Sequence, residues 1–592
     1  MVLGRGVVPA LSNSPVCLPN RLIFMSSIDW IVLTVTLSFI ILYGIYKHRN
    51  DKTLDVYLLG NKSLPWYHVG FSVMATQASA ITFLSAPGQG FSSGMGFVQF
   101  YFGLPLAMIV LSITFIPIFH RLRVYTAYEF LEERFGPRVR VFTSFLFLLQ
   151  RGLSTGISIY APSIILSTIF QWDIWITNIF MGGIVLTYSI VGGTKAISYT
   201  HLQQMMIVLT SLVVTGFMIM KLLPQDMSFY EALQIAGKSD RMKIIDWEFN
   251  PRERYNIWSG LLGGFFLQLS YFGTDQSQVG RYITGSSIEQ SRLGLLMNGL
   301  LKIPMQLGIL LLGVLVFVYY QFNTPPLFFN DSLVKSLEKT TYASQIKPLE
   351  ETHAALSREN QAAMYSLREA VSSGSEDQVG QAQAKIATIR TQLNEVKNEF
   401  ISIAKKALPS SDTTEVNYVF LRFILDHLPM GLIGLLIAVI FSASMGSIAS
   451  AYNSLAACSV IDIYRKVRTE TPTDHQEVKA SRWATFIWGL FCIIVAQFAH
   501  LLGSSMIELV NILGSWFYGV ILGIFLAAFY VKSLQGKAVF YGAIVAQIAV
   551  IFLWYWDVVA FLWLNPIGCG LVIGLSSLFQ LVIPHENTHR RG

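Results

Sequence analysis

The chain alternates long apolar stretches with short polar ones from residue 28 to residue 583. An apolar stretch of roughly 18 residues or more is long enough to cross a bilayer as a helix. The pattern predicts about thirteen transmembrane helices: one lead-in helix, ten core helices and two trailing helices. The lead-in helix covers about 28–46, the core helices, numbered one to ten, cover 66–90, 95–119, 141–169, 174–192, 203–223, 256–276, 293–320, 417–462, 482–502 and 505–531, and the trailing helices cover 536–555 and 557–583.

Composition supports this interpretation. Hydrophobic residues make up 53% of the 592 residues and charged residues 13%, against roughly 25% charged in soluble domains. A water-soluble enzyme, a disordered protein and a disulfide scaffold are therefore excluded. The sequence contains no GxSxG with partners and no P-loop lysine, so we expect no enzyme. The net charge of +7 comes from basic residues between apolar stretches, and we expect no nucleic-acid partner.

The distribution of basic residues predicts the orientation. The loops at 121–140 and 465–482 each carry five arginines or lysines, whereas the short loops near 170–174 and 502–505 carry none. Basic residues favour the cytoplasmic side. We therefore expect a multi-pass protein of the cell (inner) membrane with its N-terminus outside and its C-terminus in the cytoplasm. Loop 224–255 is basic and external in this arrangement, but longer loops weigh less in the rule.

The pattern divides the chain into four parts. Residues 1–24 are predicted to be disordered or to precede a true start at Met25. Residues 25–323 hold the lead-in helix and core helices one to seven, and 417–592 hold the remaining helices. Residues 324–416 are polar, and their apolar positions from Ile386 to Ile403 repeat at heptad spacing, which predicts an external antiparallel helical hairpin. We favour a rigid cap over the alternative, a docking surface on 325–415 for an external partner.

Two core helices are interrupted. Core helix one reads ATQASAIT at its middle, and core helix six carries Gln268, Tyr271 and Asp275 among apolar residues. Unwound backbone at membrane depth lines a cavity or is buried in protein, and its freed carbonyls bind ions or polar solutes. Two interrupted helices at matching places in two five-helix halves predict the binding site of a secondary transporter. Close helix packing through small residues is the alternative.

Three further features have candidate functions. Ala443 and Ser447 lie four residues apart on core helix eight and share a face, where a carbonyl and a hydroxyl suit a hard monovalent cation. Arg151 and Lys302 are ionisable groups within apolar stretches, which marks them as functional candidates. Arg151 could instead reach the membrane surface, and Lys302 could instead form a structural pair. Glu508 lies near the outer end of core helix ten, where solvent could surround it.

Residues 28–323 and 416–531 resemble the sodium:solute symporter family, notably its bacterial sodium/galactose and sodium/sialic-acid members. The resemblance runs through GNKSLPWYHVGFSVMATQASAITFLSAPGQGFSSG, YTAYEFLEERFG, YSIVGGTKA, LSYFGTDQ with Arg281, and SIASAYNSLAACSVIDIYR. It implies an all-α polytopic membrane protein with a five-plus-five inverted-repeat (LeuT-type) core.

The resemblance also implies a sodium site. Its ligands fall on the carbonyls of Ala75, Ala78 and Ala443 and on the hydroxyl of Ser447. Gly446 departs from the family pattern, which has a hydroxyl there. His201 stands where some members have an aspartate for a second sodium ion. We therefore predict one coupling sodium ion, no other metal and no organic cofactor. His201 also leaves proton coupling open, because imidazole exchanges protons near neutral pH.

Solute-binding positions of the family map onto neutral side chains, which suit a polyhydroxylated solute. Sialic-acid symporters have a carboxylate-binding arginine where Ser154 stands, and Arg151 is one turn away, so neutral and acidic sugars and organic acids remain candidates. The implied function is sodium-coupled import of a small polar solute by alternating access, in contact with membrane lipid. A proton-coupled symporter, a sensor without transport and a channel are the alternatives. The mapped residues are Gln77, Ser79, Thr82, Tyr101, Ser154, Gln268, Tyr271 and Asn511.

Overall fold

The computed structural model describes residues 25–48, 64–122, 126–409, 411–467, 473–503 and 505–583, so the prediction for residues 1–24 lies outside the described residues. The described residues form helices without a strand, and one isolated parallel bridge joins Leu64 to Gly285. The prediction of an all-α protein is confirmed for this part of the chain. The helices are α1 (Ser27–His48), α2 (Trp66–Gln77), α3 (Ala80–Ser93), α4 (Leu104–Ile113), α5 (Phe115–Leu122), α6 (Glu129–Phe135), α7 (Pro137–Phe170), α8 (Ile174–Leu222), α9 (Phe229–Lys238), α10 (Gly264–Thr274), α11 (Gln276–Tyr282), α12 (Ile288–Phe322), α13 (Asp331–Leu337), α14 (Ala343–Ser373), α15 (Glu376–Ala407), α16 (Val419–His427), α17 (Leu432–Cys458), α18 (Arg465–Val467), α19 (Asp474–Phe498), α20 (Met506–Ser515), α21 (Tyr518–Tyr530), α22 (Gly536–Tyr555) and α23 (Leu564–Val582), with short 3₁₀ or π segments at Gly94–Tyr101, Ser259–Gly263, Glu415–Asn417, Ser459–Tyr464, Ala499–Leu502 and Phe561–Trp563.

Eight helical segments of the described chain are long and apolar enough to cross a membrane, and a ninth forms if α20 and α21, bent by 42°, count as one. Interrupted helices cannot pass such a test alone, since α2 has 12 residues and α10 has 11. The total of about thirteen transmembrane helices therefore stays a prediction.

Both interruptions expected at membrane depth are present. Between α2 and α3 the backbone is extended, with ψ of 97° at Ala78 and −179° at Ser79. Between α10 and α11 Asp275 is extended, and its carboxylate accepts a hydrogen bond from the backbone N–H of Ser277 at 2.9 Å. A carboxylate at a helix N-terminus satisfies a free backbone donor and stabilises the helix dipole. Asp275 thus stabilises the start of α11 after the break.

The single helix expected over 417–462 is wrong. The stretch forms α16 and α17, separated by a turn in which Gly431 has a φ of +86°. The backbone N–H groups of Gly431 and Gly434 donate to the carboxylate of Asp29, at 2.6 and 3.0 Å, so α1 caps the N-terminus of α17. Hydrophobicity could not reveal the turn, because its residues, LPMG, are themselves mostly apolar.

Residues 324–416 contain two long helices, α14 and α15, which pack along each other and are joined through Gly374 at a φ of +72°. The heptad positions Ile386, Ile389, Phe400 and Ile403 are buried. At the base of this hairpin, α13 and the ends of α14 and α15 share a small apolar core of their own.

Four polar contacts hold the hairpin against the rest of the protein. The amides of Asn360 and Gln361 donate to the end of α12, at 3.1 and 2.5 Å. Arg368 pairs with Glu231 of α9 at 2.6 Å. Gln383 donates to the carbonyl of Lys238 at 2.7 Å. The hairpin therefore lies over the end of α12 and the segment around α9, which supports the interpretation as a cap.

The hairpin should loosen in acid because of His353. This side chain is 2% exposed, and burial together with the nearby Lys397 lowers its pKa to about 4, from roughly 6.5 in an unfolded chain. Below pH 6.5 the unfolded state binds a proton that the folded state does not, so stability falls as the pH falls toward 4. By pH 5 we expect a loss of about 2 kcal/mol.

Hydrogen exchange of α14 and α15 in the full-length protein, compared at pH 7 and pH 5 after correction for intrinsic rates, measures this loss. The variant His353→Gln should show much less acid sensitivity. Equal acid sensitivity in both proteins would contradict the assignment to His353.

Candidate solute and sodium site

A cavity of about 90 Å³ lies beside the interruptions of core helices one and six. One buried water needs roughly 10–15 Å³ on this scale, so the cavity holds several waters or one small solute. Its wall is formed by α2, α3, α7, α10, α17, α20 and α21, which meet around the two breaks. The lining residues are Thr76, Gln77, Ser79, Ile81, Thr82, Phe100, Tyr101, Arg151, Thr155, Ser158, Leu267, Gln268, Tyr271, Ser447, Ile448, Ala451, Ile507, Val510, Asn511 and Tyr518.

The structure brings seven of the eight predicted solute residues to this cavity, and their solute role stays a prediction. Ser154 does not line it, and its hydroxyl accepts a hydrogen bond from the Gln150 amide at 3.0 Å. Arg151, Thr155 and Ser158 line the cavity from the same helix. At about 100° per residue, Ser154 lies roughly 60° around α7 from Arg151, which turns it away. The lining residues are Gln77, Ser79, Thr82, Tyr101, Gln268, Tyr271 and Asn511.

Two lining amides have buried atoms without a hydrogen-bond partner among the described residues. Gln268 is fully buried, and neither its oxygen nor its nitrogen is bonded; the side-chain oxygen of Gln77 is also unbonded. Buried polar atoms in folded proteins are nearly always hydrogen-bonded. These amides are therefore available to hydrogen-bond a polar solute or water in the cavity.

A buried ion pair forms one end of the cavity. Arg151 of α7 donates to the carboxylate of Asp275, which also accepts the Tyr518 hydroxyl at 3.1 Å. The guanidinium carbon lies 5.5 Å from the ring centroid of Tyr271. Arg151 does not reach the membrane surface, because its charge is neutralised inside the protein. The network joins α7, the break of core helix six and α21.

Lys302 is a second buried basic residue, and its surroundings differ from those of Arg151. It is 0% exposed, and its ammonium has no partner among the described residues. The ammonium nitrogen lies 5.8 Å from the ring centroid of the cavity residue Tyr101. Asn298 and Gln306, one turn to either side on α12, also have buried unbonded atoms. The structural pair considered for Lys302 is absent from the described chain, and its amino group lies buried and unpaired behind Tyr101.

The predicted sodium ligands lie where the break of core helix one contacts α17. Ala75, Ala78, Ala443 and Ser447 are all buried. The backbone N–H of Ala80 donates to the hydroxyl of Ser444 at 3.2 Å, which ties the break to α17. Extended backbone at Ala78 and Ser79 leaves carbonyls without helical partners. These neutral oxygens fit a hard monovalent cation, and the ligand roles stay predictions.

The two departures from the family pattern touch each other. A Cβ atom on Gly446 would lie 2.9 Å from Nε2 of His201 and 3.1 Å from the side-chain oxygen of Gln204. The other ring nitrogen of His201 is 3.2 Å from the hydroxyl of Ser72. The imidazole therefore occupies space that a side chain at position 446 would need, and a Cβ there would force His201 to shift.

Sequence reasoning missed several participants. The link through Ser444, the hydroxyl of Tyr518 and the pairing of Arg151 with Asp275 depend on contacts between distant segments, and no local motif signals them. Glu508 is not surrounded by solvent: it pairs with Arg254 at 2.7 Å and accepts the hydroxyl of Tyr255 at 3.0 Å.

The contact between Gly446 and His201 can be tested by stability alone. Gly446→Ala should lower the free energy of unfolding by about 1–3 kcal/mol, because the added methyl group overpacks a rigid ring. Adding His201→Ala should recover much of that loss. The melting temperature of the purified protein measures both effects.

Gly183→Ala is the matched control, since a Cβ at Gly183 meets nothing within 4 Å and alanine favours helix. It should leave the melting temperature unchanged or raise it. A Gly446→Ala protein as stable as this control would show that the close contact does not exist.

Proteins of known function resemble this chain. A protein from Proteus mirabilis that is named a sodium/sialic acid symporter is 25% identical to it over 557 residues, which cover 92% of this chain and 93% of that protein. A sodium-coupled monocarboxylate transporter 1 from Xenopus laevis is 31% identical over 275 residues, 46% of this chain; the match spans less than half, 43%, of that relative.

A solved structure shares the fold. It is a Na⁺-coupled sialic acid symporter in a substrate-bound outward-open state, with a TM-score of 0.72 and 23% identity over 94% of this chain and 98% of the other. The five-plus-five core expected from the sequence is thereby confirmed. The profile of the Sodium:solute symporter family matches residues 57–331 and 397–546. The chain belongs to the sodium:solute symporter family, and is a sodium-coupled secondary transporter of the membrane rather than an enzyme.

Proposed function

We propose that this symporter imports a small solute bearing one carboxylate, an organic acid or an acidic sugar, together with one sodium ion. The observation that carries the proposal is Lys302, a fully buried ammonium without a partner in the described chain, 5.8 Å from the ring centroid of a cavity residue. An unpaired charge at membrane depth is costly. An anionic solute in the adjoining cavity would supply the missing negative charge.

Arg151 is a weaker candidate for the carboxylate partner. Its guanidinium is already paired with Asp275, so an incoming carboxylate would have to compete with a fixed one. Removing one partner from a buried ion pair costs about 3–5 kcal/mol. We therefore assign the carboxylate to Lys302. Because Lys302 does not line the cavity and lies behind Tyr101, the ring of Tyr101 would have to move aside for this contact. We assign hydrogen bonds to the solute's polar groups to Gln77, Gln268 and Asn511.

The names of the relatives support an anionic solute. One is named for sialic acid and another for monocarboxylates, and both solutes carry a carboxylate. The cavity volume of about 90 Å³ favours a small acid in the present conformation. A sugar acid would require the cavity to widen when it binds.

The sodium ion would be held by Ala75, Ala78, Ala443 and Ser447, between core helices one and eight. We assign the role of inner closure to the ring of Tyr271 and the Arg151–Asp275 pair at one end of the cavity. Alternating access would then part α7 from the break of core helix six. We retain the proposed orientation in the cell membrane, with the N-terminus outside, and the interpretation of the hairpin as a cap without a partner.

One sodium ion and one monoanion carry no net charge. Uptake should therefore be insensitive to membrane potential and driven by the sodium gradient alone. Sodium at a tenfold gradient supplies about 1.4 kcal/mol, enough for roughly tenfold accumulation. We expect proteoliposomes with an inward sodium gradient to accumulate sialic acid or a short monocarboxylate equally with and without a potassium diffusion potential.

A neutral control sugar, galactose, should not accumulate. Uptake stimulated by an inside-negative potential would contradict the stoichiometry and indicate a second cation or a neutral solute. Uptake driven by a proton gradient in the absence of sodium would contradict the assignment of sodium and point to His201.

Removing the charge of Lys302 should selectively weaken carboxylate transport. Lys302→Gln should raise the KM for the transported acid by roughly 100-fold to several thousandfold, because loss of one partner of a buried pair costs about 3–5 kcal/mol. Lys302→Arg, which keeps the charge, should retain part of the affinity. Initial uptake rates as a function of solute concentration measure both effects; an unchanged KM in Lys302→Gln would contradict the assignment.

Ser447→Ala should weaken sodium dependence more than solute recognition. We expect the sodium concentration for half-maximal uptake to rise about tenfold, equivalent to roughly 1.4 kcal/mol. Ser450→Ala is the matched control, since its buried hydroxyl donates to the carbonyl of Gly446 at 2.8 Å and does not line the cavity. Equal changes in the two variants, or equal loss of sodium and solute affinity, would count against the site.

A further inference from the structure

Two arginines from distant segments meet over one aromatic ring beneath the hairpin. Arg241 follows α9, and Arg390 lies on α15. Their guanidinium carbons are 4.8 and 5.8 Å from the ring centroid of Phe317 on α12. The two like charges are therefore held close together, at the base of the cap and away from the central cavity.

Neither guanidinium forms an ion pair in the described chain. Nε of Arg241 and Nη2 of Arg390 are buried and have no hydrogen-bond partner among the described residues. Two carboxylates of the adjoining segment, Glu231 and Asp246, pair with other residues, Arg368 and Lys243. One donor nitrogen of each guanidinium is thus left without a partner in the described chain.

The charges around the pair do not balance. Burial lowers the pKa of both arginines, and Asp240, the acidic neighbour of both, opposes that shift without cancelling it. Burial and the facing Arg390 outweigh it and lower the pKa of Arg241 to about 10. Both guanidiniums remain protonated at neutral pH, so two positive charges face one negative charge.

The backbone prevents the arginines from moving apart easily. The carbonyl of Arg241 accepts the N–H of Met95 at 2.9 Å, and its own N–H donates to the carbonyl of Ala236 at 2.9 Å. Gly94 has a φ of +76°, and a Cβ there would lie 2.5 Å from the Arg241 carbonyl oxygen. Arg390 lies within the continuous helix α15. The repulsion is therefore built into the docked position of the hairpin.

We infer that a small monovalent anion, a carboxylate or a halide, binds between Arg241 and Arg390 and stabilises the docked hairpin. Guanidinium groups present planar donors that match a carboxylate, and charge-assisted hydrogen bonds are the stronger class. The anion would pair with the unused N–H groups and offset the repulsion. This site is separate from the central cavity, whose lining contains neither arginine, and the inference does not depend on which solute is transported.

The test uses the purified full-length protein in sodium-free potassium buffer, where sodium-dependent solute binding at the central site is not supported. Potassium acetate and potassium bromide are titrated separately at constant ionic strength against the bulky anion 2-(N-morpholino)ethanesulfonate. Hydrogen exchange of α15 is the readout. At an anion concentration ten times its Kd we expect exchange to slow about tenfold, since binding to the docked state alone stabilises it by that factor.

Four variants make the result specific. Arg390→Gln should lose the response, and Arg358→Gln, which removes an exposed arginine on α14, should keep it. Lys302→Gln, which alters the proposed central anion site, should also keep it. Arg390→Lys, which preserves the charge but not the planar donors, should respond to bromide better than to acetate.

The sources of the anion separate in the same data. Slower exchange of α15 with acetate but not with bromide identifies a site that selects carboxylates. Equally slow exchange with both anions identifies a site that a halide can also fill. A wild-type protein that responds to neither anion would overturn the inference, as would an unaltered response in Arg390→Gln. Loss of the response in Lys302→Gln with retention in Arg390→Gln would assign the effect to the central site and overturn the inference as well.

Discussion

The cost of an uncompensated charge at membrane depth is the constraint on which the site depends. Arg151 meets it internally, through Asp275 at the break of core helix six, and the same carboxylate accepts Tyr518 from α21. That single carboxylate therefore connects α7, the break of core helix six and α21. Lys302 has no partner among the described residues, which distinguishes it from the paired Arg151.

Two departures from the family pattern meet beside the predicted sodium site. Gly446 lacks the hydroxyl that the family pattern places there, and His201 lacks the carboxylate expected at its position. Because the imidazole lies where a Cβ of residue 446 would go, neither change is independent of the other. Restoring the hydroxyl alone would create a clash rather than a ligand, so the two positions are best understood as one exchange.

Much of this arrangement could be predicted from the sequence, because hydrophobic length and small polar runs are local signals. The all-helical fold, both interruptions and the positions of Gln77, Gln268 and Asn511 at one cavity followed from such signals and the family resemblance. The partner of Arg151 could not, since Asp275 is 124 residues away and only packing brings them together. The turn at Gly431 was hidden by its apolar neighbours. Ser154 was expected at the cavity, but it lies roughly 60° around α7 from Arg151 and faces away.

The cap that Asp29 places on α17 has a consequence for biosynthesis. The carboxylate and the N–H of Gly431 that it accepts are 402 residues apart, and ribosomes add roughly 5–20 residues per second. For about 20–80 s the lead-in helix is therefore made before its partner, and Asp29 keeps only its local hydrogen bonds from Ser26. The two N–H groups of α17 can reach the carboxylate only after most of the core has been synthesised, so this contact is among the last of the core to form.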